Sequence, residues 1–311
     1  MLYSITKKIM HYLIEPSSIL IKLDSYGPFH MKDLHFLRIQ YKNALKKNPN
    51  LESPQTFNEK LQWLKLHDRN PKYTKMVDKY LVKEYIKDVI GDKYIIPTLG
   101  VYDSFDKINF ANLPNQFVIK CTHDSGGLVI CKNKEKLDKK GTKRKINKSL
   151  KRNYYYAGRE WPYKNVKPRI IVEPLISDGI NDDLTDYKFM CFNGKVHYIF
   201  TCTERFNNDG LKVTFFDTNW NVMPFERHYP KSKKLIKQPS NLRKMIELSE
   251  KLSKDIPFVR IDFYEVNNKI KFGEITFYPG NGMEEFTPEI WDKKLGDLIV
   301  LPKKETNEKQ K

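Results

Sequence analysis

The sequence predicts an α+β fold built on antiparallel sheets, and three observations carry that prediction. Helical periodicity dominates the residues before Ile95. After Ile95, β-branched and aromatic residues come in short runs bounded by turn residues. Those runs are joined by hairpin signals such as Asn193-Gly194 rather than by helical crossovers. Neither Gly-x-Gly-x-x-Gly nor the phosphate-loop Gly-x(4)-Gly-Lys-Ser/Thr occurs, which argues against a doubly wound dinucleotide fold.

Met1–Leu23 is mildly amphipathic and reads as a packed N-terminal helix. A helix lying on a membrane surface beside Lys7, Lys8 and Lys22 is the alternative. The stretch lacks the apolar centre and small-residue cleavage site of a signal peptide. Thr56-Phe57-Asn58-Glu59 is a capping box, and Phe57, Leu61 and Leu64 then form one apolar stripe. A second helix is expected from Thr74 to Lys87, burying Val77, Tyr80, Leu81 and Tyr85. Strands are expected at Ile96–Tyr102, Phe117–Cys121, Leu128–Cys131, Arg169–Ile176, Tyr187–Phe192, Lys195–Thr203, Val213–Asp217 and Val222–Phe225. Lys132–Tyr156 is a basic linker or helix, Asn241–Lys254 a helix, and Phe258–Val266 with Ile270–Phe277 a last hairpin. The tail from residue 304 to 311 is polar and expected to fray.

With 40% apolar and 30% charged residues the chain is a folded globular protein rather than a disordered one. Its formal net charge of +18 favours anionic partners such as nucleotides, acidic glycans or anionic lipid; a lysine-rich composition without functional meaning is the plainer explanation. Nucleic acid is not an expected partner. The four cysteines form no Cys-x-x-Cys pair, so buried free thiols in a reducing, cytoplasmic setting are expected in place of a zinc site. No apolar run approaches the roughly 20 residues that span a bilayer.

The last hairpin holds the chemistry of most interest. Arg260 and Asp262 share one face of its first strand, and Phe272, Glu274 and Thr276 share one face of the second. A two-residue turn at Asn267-Asn268 would set Glu274 opposite Ile261 and separate the carboxylates. An odd-length loop would set Glu274 opposite Asp262 and Thr276 opposite Arg260, with Cβ atoms roughly 5 Å apart, a span two carboxylates can bridge with Mg²⁺. The odd-length loop is the expectation; a solvated hairpin face is the alternative. The Tyr278-Pro-Gly-Asn-Gly-Met283 turn that follows suits a site-forming loop.

Further upstream, a strand delivers Lys120 to a Ser125-Gly126-Gly127 loop whose amides suit phosphate, although a plain hairpin would look the same. Glu173-Pro174 ends a strand where a hinge could read adenine and Glu173 accept from a ribose. Lys188 sits mid-strand, where a lysine needs a polar opening or an anion. His123 fits no nucleophilic triad and reads as structural, while Arg159 and Arg205 read equally as binders of an acidic substrate or as surface ion pairs.

In this order the features resemble the ATP-grasp superfamily, and more closely the TupA-like ATP-grasp family of surface-polysaccharide biosynthesis. The matching segments are Thr56–Lys65, Asp78-Lys79-Tyr80, Phe117–Lys120 with His123 and Ser125-Gly126, Asp186–Lys195, and Phe272–Thr276, within residues 35–301. The resemblance implies two α+β subdomains clamping ATP and Mg²⁺: a nucleotide-lid part over residues 95–175 and a metal and substrate part over 176–301. Both would lie in a domain spanning 51–303, after a helical region over 1–50. It implies that Lys120 binds the α/β-phosphates, that Ser125, Gly126 and Gly127 form the lid, and that Glu173 sits at the adenine hinge. Lys188 would face the nucleotide, Asp262 and Glu274 would ligate magnesium, and Arg260 would stabilise the phosphoryl group in transfer. Many relatives carry Glu-x-Asn on the last strand; Thr276 stands where that Asn would be, which puts a second metal in question. The implied activity is a carboxylate–amine ligase acting through an acyl phosphate on an acidic sugar or amino-acid substrate, in contact with a membrane or glycan-assembly enzymes. A glycosyl- or phosphoryl-transferase, or a non-catalytic basic glycan-binding protein, are the alternatives.

Overall fold

The computed structural model describes residues 17–27, 30–177, 184–204 and 210–303. The expectations for the first sixteen residues, for Arg205 and for the 304–311 tail lie outside those residues. Helices come first, at Ser17–Tyr26, Asp33–Leu45, Phe57–His67, Lys72–Val77 and Val82–Val89. The capping box is present: the Glu59 amide donates to Thr56 Oγ1 at 3.2 Å, and the Thr56 amide donates to the Glu59 carboxylate at 3.2 Å.

The helix expected from Thr74 to Lys87 is broken. Asp78 leaves helical geometry (φ −70°, ψ 114°), and its carboxylate accepts from the amides of Tyr80 and Leu81 at 2.8 and 3.2 Å. The same carboxylate takes Arg169 Nη2 at 2.7 Å. An aspartate capping the chain ahead of it competes with continued helix, and here the arginine tips the balance. Tyr80 is consequently exposed, not buried as expected.

All strands pair antiparallel, as the hairpin signals require. A four-stranded sheet holds β1 (Gly100–Tyr102), β2 (Phe117–Cys121), β3 (Leu128–Cys131) and β4 (Ile170–Pro174) in the order β1-β4-β2-β3. Its apolar face meets the Lys139–Leu150 helix through Phe117, Ile119, Cys121, Ile146 and Val172. A five-stranded sheet holds β5 (Asp186–Phe192), β6 (Lys195–Thr203), β7 (Lys212–Phe216), β9 (Phe258–Val266) and β10 (Lys269–Thr276) in the order β10-β9-β5-β6-β7. There Phe189, Ile261 and Phe263 bury against Met245, Leu248 and Leu252 of the Leu242–Leu252 helix. Each such side chain contributes about 1.5–3 kcal/mol. β8 (Glu226–Arg227) and β11 (Phe286–Thr287) make a small ribbon. The strand expected over Ile96–Tyr102 shrinks to three residues, and Val222–Phe225 keeps only one bridge, Val222 to Phe216.

The β5–β6 turn places Asn193 and Gly194 at φ 47° and 80°, the left-handed pair a two-residue hairpin demands. The β9–β10 turn behaves the same way, with Asn267 and Asn268 at φ 50° and 59°. The odd-length loop is therefore corrected to a two-residue turn, pairing Lys269 with Val266 and Phe272 with Phe263. Beyond Phe272 the register shifts, and Ile275 pairs with Ile261 and Thr276 with Arg260. A β-bulge at Gly273-Glu274 inserts the extra residue and turns Glu274 to the side of Asp262. The arrangement expected of the strands is reached by a different device. Gly273 suits this position because an added Cβ would lie 3.1 Å from the Asp262 carbonyl oxygen and from the Tyr264 ring.

The N-terminal helices brace the far end. Phe57 packs edge-on to Phe258 with ring centres 4.9 Å apart, and the Asn58 amide donates to Asp292 Oδ1 at 2.9 Å. Among the described residues no helix is long and apolar enough to cross a membrane.

Candidate active site

A cavity of about 270 Å³ lies between the two sheets, lined by Lys120, Ser125, Gly127 and Glu173 from one side and by Lys188, Asp262 and Glu274 from the other. Seven of the nine residues singled out in the sequence thus face one space. Arg260 adjoins it through its ion pairs with Asp262 and Glu274, and Gly126 turns to the opposite side of its loop.

The centre is an arginine shared by two carboxylates. Arg260 Nε donates to Asp262 Oδ1 at 2.7 Å, and Nη2 donates to Asp262 Oδ2 at 2.7 Å and to Glu274 Oε1 at 2.6 Å. Strand pairing sets Lys188 opposite Asp262, and its ammonium donates to Oδ2 at 2.6 Å with Asp186 at 3.2 Å. Burial opposes the charged forms of Lys188 and Arg260, but Asp262 overrides it, and both cations hold their protons more tightly than usual. Burial pushes the Asp262 carboxyl up against the pull of Arg260 and Lys188. Glu274 differs, because its side chain is 45% exposed to the cavity. Desolvation works against its charge, yet Arg260 first, then Lys188, Lys79 and Lys120, hold its carboxyl down at about 2. Thr276 Oγ1 donates to Glu274 Oε1 at 3.3 Å, so the hydroxyl joins the acidic pair.

On the opposite wall Lys120 Nζ lies 2.7 Å from Glu173 Oε2 and Lys83 Nζ 2.5 Å from Glu173 Oε1. Burial raises the cost of charge on Glu173, while Lys120 and Lys83 hold its carboxyl below the usual range. The Glu173 carboxylate holds two ammonium groups apart and in place. A second, more apolar cavity of about 330 Å³ adjoins the first and shares Lys120, Leu128, Glu173 and Asp186 with it. Its walls include Ile96, Val118, Ile130 and Leu175. The strand end at Glu173-Pro174 therefore borders an apolar slot, as a hinge reading requires.

The glycine loop is fastened from behind. Asp124 Oδ1 accepts the Gly127 amide at 2.9 Å, and Ser149 Oγ donates to Asp124 Oδ2. Gly127 has no room for a side chain between Ser149 and Cys121, whereas Gly126 faces open space. His123 is structural, as read: its Nε2 faces the carbonyls of Ser149 and Arg152, each at 3.1 Å.

Sequence reasoning missed Lys79 and Lys83. The Lys79 amide donates to the Thr122 carbonyl at 3.1 Å, and its ammonium donates to the Asp124 carbonyl, so it pins the root of the glycine loop. Burial lowers its affinity for a proton, with Glu274 the strongest of the opposing charges. The signal was the Asp78-Lys79-Tyr80 segment, to which no role had been given. Also missed was a buried cluster between the Phe57–His67 helix and the Pro279–Gly282 turn. Lys65 Nζ donates to Asn281 Oδ1 at 2.6 Å, to the Asn281 carbonyl at 2.8 Å and to Gln62 Oε1 at 3.0 Å, and burial brings its pKa down to about 7.

Arg159 proves neither a substrate ligand nor a surface pair. It is 1% exposed, pairs with Asp24 and, at 3.1 Å, with Asp33, and lies 3.9 Å from the centre of the Phe36 ring. The four cysteines are free, as expected.

The arrangement can hold a polyanion between two lysine-bearing walls, with an acidic pair at one end. Asp262 and Glu274 both reach one nitrogen, Arg260 Nη2, so they lie within reach of a single cation. That donor set fits a hard divalent ion whose other ligands are water and phosphate.

The fold overlaps a D-alanine–D-alanine ligase from Helicobacter pylori at 17% identity, covering 73% of this chain and 59% of that one with a TM-score of 0.39. It overlaps the Bacillus anthracis ligase complexed with ATP at 15% identity, 72% and 64% coverage and a TM-score of 0.41. It also overlaps N5-carboxyaminoimidazole synthetase from Staphylococcus aureus at 13% identity, 65% and 44% coverage and a TM-score of 0.38. The chain spans about six-tenths of the length of the D-alanine–D-alanine ligases it matches. No curated protein matches it. A model of the TupA-like ATP-grasp family matches residues 59–300, most of the chain, so the α+β architecture described above is an ATP-grasp fold and the protein belongs to the TupA-like ATP-grasp family.

Proposed function

We propose that the protein is a Mg-ATP-dependent carboxylate–amine ligase that modifies an acidic sugar or a related carboxylate during surface-polysaccharide synthesis. The observation that carries this reading is the bulge-driven approach of Glu274 to Asp262, with Lys188 beside them on the same sheet and Lys79 and Lys120 lining the same cavity. The apolar slot beside Glu173 would take the adenine, and Lys120 and Lys79 would neutralise the phosphates. Asp262 and Glu274 would hold the magnesium ion, which supplies charge neutralisation at the transferring phosphoryl group. Arg260, which bridges the two carboxylates, would be the cation placed to stabilise that phosphoryl group.

The chemistry asks for positioning rather than a protein nucleophile. A substrate carboxylate oxygen attacks the γ-phosphorus, the bond to the bridging oxygen breaks, and ADP leaves. The amine nitrogen then attacks the acyl carbon, phosphate departs, and the nitrogen loses a proton to give the amide. The buried cysteines, with Cys121 and Cys191 pushed up to about 11 and about 12 by burial, are unsuited to act as nucleophiles in this scheme.

Hydroxylamine trapping tests the reading. Incubated with Mg-ATP, hydroxylamine and a panel of uronic and amino acids, the wild type is expected to release ADP and phosphate and to form a hydroxamate with one of them. ADP release coupled to phosphorylated sugar without any hydroxamate would establish a transferase instead. An absence of magnesium-dependent nucleotide binding would remove the enzyme reading altogether.

A further inference from the structure

A third cavity, of about 570 Å³, lies on the other side of the glycine loop, and Asp124 belongs to its wall and to that of the cavity between the sheets. It is formed where the end of the Lys139–Leu150 helix and the segment after it meet the Ser17–Tyr26 helix. Lys145, Lys148, Lys151 and Arg152 line it. Asp124 is the one carboxylate among its described lining residues, and both of its oxygens are engaged by Gly127 and Ser149. None of the three lysines has an ion-pair partner among the described residues. Arg152 Nε is buried without a hydrogen-bond partner, and the guanidinium is held between the rings of Tyr26 and Tyr154, 5.2 and 5.6 Å from their centres.

Four cations set against a single carboxylate leave positive charge uncompensated, and a concave site concentrates that field. Such an arrangement persists at little cost when an anion is there to neutralise it. The cavity also offers flat faces. His30 and Tyr156 stack with centres 3.5 Å apart and planes 13° apart, and Tyr26 is largely exposed at the rim. Aromatic faces suit the apolar faces of pyranose rings, and ammonium and guanidinium groups suit their carboxylates or phosphates. A membrane or a nucleic-acid duplex presents its charge on a flat or convex surface, which matches a concave site less well than a short sugar chain does.

We propose that this cavity binds an acidic carbohydrate, a sugar chain bearing carboxylate or phosphate groups, at a site separate from the cavity between the sheets. The inference does not depend on ligase activity, because Lys145, Lys148, Lys151 and Arg152 are outside the proposed ATP and magnesium machinery.

The test is calorimetric titration of the full chain with hexagalacturonate and with neutral maltohexaose at about 0.15 M salt, where long-range attraction is screened. Lys145→Glu/Lys148→Glu is the variant, since both side chains are exposed and unpaired; Lys145→Gln/Lys148→Gln checks that any loss reflects missing contacts rather than repulsion. The wild type is expected to bind hexagalacturonate and not maltohexaose, and both variants to lose roughly tenfold or more in affinity, as removal of charged contacts implies. Mg-ATP affinity, measured on the same samples, is expected to stay unchanged. Equal binding of the two oligosaccharides, or variants that bind hexagalacturonate like the wild type, would overturn the proposal. So would binding confined to phosphatidylglycerol vesicles, which would assign the patch to a membrane surface. A protein that binds hexagalacturonate but no nucleotide would leave this site standing and remove the ligase reading.

Discussion

Two arginines in this protein each sit between two carboxylates, and only one of them faces a cavity. Arg159 bridges Asp24 and Asp33 under the rings of Phe36, Tyr155 and Tyr156, and its own side chain is almost fully enclosed. Arg260 bridges Asp262 and Glu274, and Glu274 is open to a space ringed by lysines. The first cluster is closed in charge and in space, so its role ends with holding the N-terminal helices to the Tyr155–Gly158 turn. The second has an acidic group left half in the open, with more positive charge around it than it can neutralise. Residue types alone do not separate a fastening from a reactive centre; the spare capacity of one carboxylate does.

That contrast can be broken or sharpened experimentally. Arg159→Met should cost the most stability, roughly 3–5 kcal/mol, because it leaves Asp24 buried without its cation; urea unfolding measures this, and a loss below about 1 kcal/mol would show the pair is not a fastening. Glu274→Gln should lower magnesium-dependent turnover by roughly 10²–10³-fold, with the unfolding midpoint little changed, as measured by ADP release. Arg260→Met should cost stability by no more than about 2 kcal/mol, since Lys188 still neutralises Asp262 and Glu274 reaches solvent; a cost equal to that of Arg159→Met would erase the distinction. Tyr155→Phe removes the 2.6 Å hydrogen bond to Asp33 and should cost about 1 kcal/mol in the same unfolding assay.

The smallest effect concerns pH. The folded-state pKa of Glu274 lies below its ordinary value, so its charge stabilises the fold above about pH 4.5, and that contribution is lost as pH falls towards about 2. Acid titration of Glu274→Gln should therefore show a slightly shallower fall in stability across that window than the wild type. An identical acid profile would mean the exposed carboxylate gains nothing measurable from its lysines.

Much of the site was legible because strands impose strict alternation. Arg260 and Asp262, two residues apart, could be placed on one face from spacing alone, whereas Lys188 was legible only as a mid-strand lysine in need of an anion until strand pairing set it opposite Asp262. The bulge was not legible, because an extra residue leaves no mark in the pattern until the partner strand is known. The choice between an even and an odd loop was therefore framed too narrowly: the even loop and the right facing coexist. The helix break at Asp78 was hidden for a similar reason, as its fixing partner is Arg169, 91 residues onward. Lys79 and Lys83 became visible as cavity residues only after that break. Arg159 escaped assignment because Asp24, 135 residues away, decides its environment.

The latch between Gln62, Lys65 and the Pro279–Gly282 turn has a consequence for how the protein comes apart. Gln62 Nε2 donates to the Gly282 carbonyl at 2.7 Å, so the loop that follows the acidic strand is clipped to a helix near the opposite end of the chain. The turn cannot drift while the Phe57–His67 helix is wound, and unwinding that helix leaves two loop carbonyls without donors. Amide exchange in the turn and in the helix should accordingly rise together, so that a deuterium label at Met283, whose amide bonds within the turn, reports the melting of a segment more than two hundred residues upstream.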